Sequence, residues 1–260
     1  MTKKRLFRLS ISSFCLLCLS TQTYALPCYL FPYIPWRLIF SIGGGVTMTT
    51  NLGASGYFPA ENATINEYYS YTATTAAATK GLFDLSFAGE VEIQNGLLMQ
   101  LGVGYTQSNS FTAQGNFIQG VDAQSQNSYT YKYKILPKQL LAQAKLLVLG
   151  NSEQKFHPYI IGGVGAAQNH VYNYSTDVPY TLTFTRSYES TTQTSMSFII
   201  GGGVEFDIHE QVRLGFGYRY TGLGKATLGD ATIDGVPVSG TLTQSNLNAN
   251  QILSQLTFIF

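Results

Sequence analysis

Hydrophobic and polar positions alternate along most of this chain. In "LFDLSFAGEVEI" (82–93), Phe83, Leu85, Phe87, Val91 and Ile93 share one face, and Asp84, Ser86, Glu90 and Glu92 share the other. "MSFIIGGGVEFDI" (196–208) sets Met196, Phe198, Ile200, Val204, Phe206 and Ile208 against Ser197, Glu205 and Asp207. "VRLGFGYRY" (212–220) sets Val212, Leu214, Phe216, Tyr218 and Tyr220 against Arg213, Gly215, Gly217 and Arg219. A period of two is the pattern of strands whose side chains point alternately to opposite faces. Eight such segments are predicted, at about 36–48, 82–93, 97–107, 129–149, 158–174, 193–208, 212–224 and 248–260. In the fourth, Tyr129, Tyr131 and Tyr133 fall on the opposite parity from Leu140, Ala142, Ala144, Leu146 and Val148, which predicts a bulge near Pro137.

The connections alternate in length. Long polar stretches at 49–81, 108–128, 175–192 and 225–247 follow the odd-numbered segments, and short ones at 94–96, 150–157 and 209–211 follow the even-numbered ones. "QNG" (94–96) suits a three-residue hairpin with Gly96 left-handed, pairing Ile93 with Leu97 and Val91 with Met99. The same counting across "HEQ" (209–211) pairs Ile208 with Val212 and Asp207 with Arg213.

An even number of amphipathic strands can close on itself and leave no edge unsatisfied in lipid. Two closures compete. A secreted barrel would turn the apolar face inward around a ligand, putting Asp84, Glu90, Glu92, Glu205 and Asp207 outside and leaving four long loops without a purpose. A transmembrane barrel turns that face to lipid and encloses the acids, with Arg213 and Arg219 as their partners. The second closure accounts for more of the chain. The expected fold is therefore all-β: an eight-stranded antiparallel up-and-down transmembrane β-barrel spanning 36–260.

The glycine runs "SIGGGV" (41–46), "IIGGVG" (160–165) and "IIGGGV" (199–204) raise the question of a phosphate loop. Such a loop needs Lys and Ser or Thr before a helix. The first run has no Lys, and the third continues in alternation to Ile208. The glycines are expected to relieve crowding on the inner face.

Composition sharpens the picture. Charged residues are only 11% of the chain, against 26 Gly, 18 Tyr and 16 Phe, whereas a soluble domain carries about 25% charged residues. The first 25 residues read as an export signal: basic Lys3, Lys4, Arg5 and Arg8, the short apolar "ISSFCLLCLS" (11–20), then "TYA" ending at Ala25. That apolar run is too short to cross a bilayer, which takes about 20 residues. Residues 26–35 form a short Pro-rich segment before the barrel. Cleavage after Ala25 removes four of the 15 Lys and Arg, leaving 11 against 14 acids and a net charge of −3, which argues against a nucleic-acid partner. It also removes Cys15 and Cys18, so Cys28 stands alone near the new N-terminus, and no Cys/His cluster suits a metal.

The signal, the eight strands, the short-turn/long-loop alternation, "FHPYIIGGVG" (156–165) and the terminal "LTFIF" (256–260) together resemble the small Gram-negative outer-membrane barrels. Those include the opacity proteins and the OmpA/OmpX-like domains. The resemblance implies location in the outer membrane, contact with its lipid and lipopolysaccharide, and recognition of Phe258 and Phe260 by the barrel-assembly machinery.

Candidate chemistry is sparse. His157 and His209 fall in short connections, and His170 lies near Ser175 and Asp177 without a spacing that places them on one strand face. No catalytic or cofactor residue is expected, and the inner carboxylates read as ion pairs. Tyr29, Tyr33, Trp36, Tyr129, Tyr131, Tyr133, Tyr172 and Tyr174 are expected in the two aromatic girdles of a membrane barrel. In "YTYKYK" (129–134), Lys132 and Lys134 are candidates for contact with a polysaccharide or a lipopolysaccharide phosphate. The leading expectation is a non-enzymatic surface protein with a structural or adhesive role, its long loops touching the cell envelope or a host ligand. A narrow pore for small solutes is the alternative, and an outer-membrane lipid-modifying enzyme the third.

Overall fold

The computed structural model describes residues 36–50, 52–59, 67–74, 77–94, 96–121, 125–149, 155–178 and 185–260. The export signal (1–25), the Pro-rich segment (26–35), Cys28, Tyr29 and Tyr33 lie outside the described residues. The described chain is built of β1 (Arg37–Thr49), β2 (Gly56–Pro59), β3 (Glu67–Ala73), β4 (Ala78–Gln94), β5 (Leu97–Ser108), β6 (Phe111–Val121) and β7 (Ser125–Val148). It continues through β8 (Phe156–Asp177), β9 (Arg186–Tyr188), β10 (Thr191–His209), β11 (Val212–Thr227), β12 (Ala231–Ile233), β13 (Val236–Val238) and β14 (Thr243–Ile259).

Eight of these close a ring, β1-β4-β5-β7-β8-β10-β11-β14, every neighbour antiparallel and β14 hydrogen-bonded back to β1. Closure satisfies the backbone without an edge, as a strand wall in lipid requires. The eight predicted strands are the eight wall strands, each reaching beyond its predicted span at one end or both.

The apolar face points outward. Leu38, Phe40, Ile42, Phe87, Val103, Leu140, Ile160, Val164, Ile200, Phe216 and Ile252 are all exposed around the wall. Between them, Ser41, Asp84, Glu90, Lys145, Glu205, Arg213 and Arg219 are buried inside. This is the inverse of a soluble barrel and suits a hydrocarbon surrounding. Phe216, 49% exposed on β11, is a clean member of that belt. Phe216→Arg is expected to lower barrel stability by about 2–4 kcal/mol in urea titrations in lipid vesicles. An unchanged midpoint would mean that this face does not meet lipid.

Both short hairpins are tighter than expected. Val91 pairs with Met99, but Gln94 rather than Ile93 faces Leu97, so Ile93 sits in a bulge. Asp207 pairs with Arg213, but His209 rather than Ile208 faces Val212, and Ile208 takes the bulge. A two-residue turn and one bulge replace each three-residue loop, which keeps the two faces in register beyond the turn. Gly96 adopts φ 86°, the left-handed conformation such a turn needs.

The bulge expected near Pro137 is absent. Alternation runs unbroken along β7, with Tyr131, Tyr133, Ile135, Gln139, Leu141, Lys145 and Leu147 all buried on the inner side. The tyrosines differ in parity from Leu140 and Val148 because they point inward, not because the strand slips. The real irregularity lies higher, where Lys132 pairs with Ser175 and Lys134 with Tyr172. Strand β8 carries the extra residue there, and Asn173 takes φ 54°.

The long connections are not plain loops. The β6 strand pairs with the outer half of β7, β3 pairs with β6, and β2 with β3, so the wall sheet grows beyond the barrel. A second sheet, β13-β12-β9, forms from the connections after β8 and β11. All four long connections feed one apolar core: Leu52 and Tyr71 from the first, Phe111 and Phe117 from the second, Tyr188 from the third, Leu228 and Leu242 from the fourth. Wall residues Tyr131, Tyr133, Val171, Leu223 and Leu247 complete it. Strand β11 joins by parting from β10 at Gly222 while it stays paired with β14 to Thr227; Leu223 and Ala226 are buried in the core, and Asn169 donates to the Leu223 and Lys225 carbonyls.

Candidate functional site

Among the described residues, charges are assembled with geometry in the lumen. Wall alternation aims them there, and two layers result. Near the short turns, Arg213 Nη1 and Nη2 grip the Glu90 carboxylate at 2.5 and 3.3 Å, and its Nε donates to Asp207 Oδ1 at 3.1 Å. Glu90 also accepts from Arg37 at 2.7 Å and from Gln100 at 2.8 Å. Asp207 in turn meets His157 Nε2 at 2.7 Å. One step deeper, Lys145 donates to Glu205 at 2.8 Å and to Gln255 at 3.3 Å, and Glu205 lies 3.9 Å from Arg213. Farther along the wall, Arg219 contacts Asp84 and Gln251 at 2.5 Å each and Thr106 at 3.0 Å, while Thr106 donates to Asp84 at 2.6 Å. Gln139, Ser197 and Thr221 lie next, where Gln139 Nε2 donates to both hydroxyls.

Four carboxylates thus meet four Lys or Arg side chains and one histidine. Asp84, Glu90, Glu205, Asp207, Arg213 and Arg219 are brought together in these two layers. Glu92 is not. It lies exposed at the short-turn mouth, where its carboxylate accepts from the Gly96 N–H at 3.5 Å. Arg37, Lys145 and His157 belong to the network although alternation did not single them out. Lys145 carried a usable signal, standing on the inner parity of β7 between Ala144 and Leu146. Its ammonium lies 4.6 Å from the centre of the Tyr159 ring, a cation–π contact.

The glycine runs make room for that packing. A Cβ at Gly203 would lie 2.2 Å from the Phe216 carbonyl oxygen and 2.7 Å from the Tyr159 hydroxyl. At Gly217 a Cβ would lie 2.2 Å from the same hydroxyl. The glycines are continuous strand, with no helix behind them and no phosphate cradle.

A cavity of about 10 Å³ lined by Asp84, Lys145, Tyr159, Arg219 and Gln255 separates the layers, room for a single water at most. Beyond Gln139 the interior passes into the aromatic core. Tyr131, Tyr133 and Tyr174 are part of that interior rather than a girdle: Tyr131 stacks on Tyr133 and Tyr174, and Tyr71 meets Phe117, Tyr131 and Tyr188. Tyr129 packs against the same core. Trp36 is exposed at the other end of the wall, and Tyr172 stacks outside on His170. Among the described residues no group of three His, Cys, Asp or Glu is placed to hold a metal ion. His170 Nδ1 is bonded to Thr192 Oγ1 at 2.9 Å. Lys132 and Lys134 stand exposed on the outer surface of β7.

No family model and no curated protein matches this chain. Solved structures similar to it include Neisserial surface protein A, at 13% identity over 86% of this chain and 97% of that one, with a TM-score of 0.39. The outer membrane protein OprG from Pseudomonas aeruginosa is 15% identical over 85% and 95%, with a TM-score of 0.48. The outer membrane protease OmpT from Escherichia coli is 11% identical over 87% and 99%, also at 0.48. Likeness at this level carries no activity from those proteins to this one. By its own geometry the chain is an eight-stranded antiparallel transmembrane β-barrel of the outer-membrane type, with a packed, ion-paired lumen.

Proposed function

We propose that this is a non-enzymatic surface protein of the Gram-negative outer membrane, in which a sealed barrel anchors a folded β platform that makes structural or adhesive contacts. The observation that carries this reading is the shared core of the four long connections. Loops that merely link strands have no need to bury Tyr71, Phe117, Tyr188, Leu228 and Leu242 together. Ordering them costs backbone entropy, roughly 1–2 kcal/mol per residue, and a rigid presented surface is what that ordering yields. Tyr57 on β2, stacked on Tyr68, and Val236 on β13 are exposed on the platform, at 64% and 63%. Apolar side chains exposed away from the lipid belt are natural contact points. The filled lumen supports a sealed barrel over a pore.

The test has three arms. The folded protein in planar bilayers is expected to show no steady conductance steps, and discrete single-channel steps would favour the pore. On intact cells, an impermeant maleimide is expected to label Asn116→Cys on β6 but not Glu210→Cys in a short turn, because the long-loop end faces outward. The reverse pattern would overturn the orientation. Cells displaying the protein are expected to adhere to epithelial monolayers, with loss of adhesion in a Tyr57→Ser, Val236→Ser variant present at the same surface level. Equal adhesion with and without the protein would remove the adhesive role.

A further inference from the structure

We propose that Arg186 on β9 is the floor of a binding site for a carboxylate that enters from the long-loop end of the molecule. Among the described residues four Lys or Arg side chains are buried: Lys145, Arg186, Arg213 and Arg219. The three in the lumen each meet a carboxylate. Arg186, 3% exposed, makes no ion pair among the described residues. Glu189, Asp230 and Asp234, the acids that flank the strands of its sheet, all stand exposed at the surface. A guanidinium cannot shed its proton, so burial does not neutralise it. Held away from water without a counter-charge, it is costly to the fold.

Strand alternation builds the site. Arg186, Ser187 and Tyr188 pair with Ile233, Thr232 and Ala231 of β12. Ser187 is exposed, and Arg186 and Tyr188 turn to the same inner face. Phe58 and Tyr69, register partners on β2 and β3, present neighbouring rings to the guanidinium, whose carbon lies 4.5 and 5.3 Å from their centres. Ring faces offset part of the charge but occupy none of the five N–H donors. Nη2 donates to the Ser239 carbonyl at 2.8 Å, while Nε and Nη1 have no hydrogen-bond partner. The Tyr188 hydroxyl has none either. Burial raises the pKa of that phenol and the Arg186 cation pulls against the rise, as a charge close to the hydroxyl does.

The way in passes Gly240. Ser239, Gly240 and Thr241 are exposed, and Gly240 takes φ 95°. A Cβ on it would lie 3.5 Å from Arg186 Nη1 and 2.4 Å from the Phe58 ring. Nη1 therefore lies about one side chain's depth below the surface, under a residue that has no side chain. The partly buried Phe58 ring closes the gap, and turning that ring uncovers the guanidinium edge. Donor geometry names the ligand class. Coplanar N–H groups engage a carboxylate bidentately, and the Tyr188 hydroxyl supplies a further donor. An amide or alcohol would satisfy the donors without cancelling the charge. A flat two-oxygen group on a slim stem suits the gap beside Phe58 better than a tetrahedral sulfate. The carboxylate comes from a free small acid or from an acidic side chain of a protein that the platform contacts. Only the second source rests on the adhesive reading; the site itself does not.

The full chain, isotope-labelled at the arginine Nε and folded in non-ionic detergent, is to be titrated at constant ionic strength with acetate, with sulfate, and with capped Gly-Glu-Gly and Gly-Gln-Gly peptides. The Arg186 Nε–H resonance, assigned by its loss in Arg186→Lys, is expected to move saturably downfield with acetate. Those of Arg213 and Arg219, already engaged by Asp207 and Gln251, should stay in place. Tyr188→Phe keeps the ring and removes one donor, and should weaken binding about threefold. Acetate should also slow amide exchange in β9 and β12 of the parent protein but not of Arg186→Gln. An Arg186 resonance unmoved by both acetate and the Glu peptide would overturn the site, as would slowed exchange retained in Arg186→Gln. Equal response to sulfate would overturn the carboxylate, and equal response to the Gln peptide would overturn the need for charge. Tighter binding of the Glu peptide than of acetate assigns the carboxylate to a protein side chain, and binding of acetate alone assigns it to a free acid. Should Arg186→Gln fail to fold, the parent resonance and Tyr188→Phe still decide. Purified protein is used throughout, so a failed adhesion assay on cells and a failed site are read separately.

Discussion

Arg213→Ala is expected to destabilise the barrel by about 3–5 kcal/mol, more than any other single change to the lumen charges. Arg213 is 4% exposed and Glu90 0%, and their bidentate pair is the centre of the network. Both ions lost their water on folding, so the net worth of the pair is modest. Deleting the arginine leaves Glu90 with only the half-exposed Arg37 as a charged partner. Glu205 loses a second cation at the same time, although Lys145 remains beside it. Combining Glu90→Ala with Arg213→Ala removes the stranded charge, so the double variant should fall short of the sum of the singles by about 1–3 kcal/mol. Asp207→Ala should cost far less, about 0–1 kcal/mol, because its carboxylate is 36% exposed at the mouth and shared with His157. Urea titrations of all four proteins in lipid vesicles measure the cycle. Strict additivity of Glu90→Ala and Arg213→Ala would show that the two do not act on each other.

Alternation made the barrel legible because a strand wall between lipid and a charged lumen forces the two faces to differ at every step. Asp207 opposite Arg213 followed from counting across one turn, and the register agrees. What counting along neighbouring strands could not supply was the partner across the lumen. Glu90 reaches Arg213 from a strand 123 positions away, and Lys145 reaches Glu205 across 60. Inner positions of non-adjacent strands meet only when the ring closes. The outer half failed for a different reason. "EYYSYTA" (67–73) and "FTAQGNFIQGV" (111–121) also alternate, with Tyr69, Tyr71, Phe111, Ala113 and Phe117 on buried parity. Apart from Glu67, their polar residues are Thr, Ser, Gln and Asn, which are common in loops as well, so composition outweighs the weak alternation. Rings suit a membrane–water interface, so the tyrosines of β7 read from sequence as part of an aromatic girdle. Their parity, shared with Lys145, pointed inward all along.

The aromatic cap is expected to open separately from the barrel, and Tyr71→Ala should lower its local stability by about 3–5 kcal/mol, the cost of truncating a large buried ring. Tyr71 is 3% exposed, edge-on to Phe58, Tyr131 and Tyr188 and stacked on Phe117, so no neighbour can refill the space without leaving its own place. The belt and the ion-paired layers lie on other stretches of the wall, so their hydrogen-bonded ring should persist while β3 and β6 open. Alkali should produce the same opening without a mutation. Burial pushes the Tyr71 phenol well above the ordinary value of 10.0 and raises that of Tyr188 as well. A group whose folded pKa is raised contributes its full stability below the unfolded pKa and loses it as pH rises above that value. The Tyr71 phenol then favours the open cap by about 1.4 kcal/mol at pH 11, one unit above its unfolded value, and Tyr188 acts in the same direction. Hydrogen exchange of β3 and β6 amides, compared with those of β4 and β14, measures both effects. Faster exchange in β3 and β6 alone, in Tyr71→Ala at neutral pH and in the parent protein near pH 11, is the expected result. Simultaneous loss of protection in β4 and β14 would mean that cap and barrel form one cooperative unit.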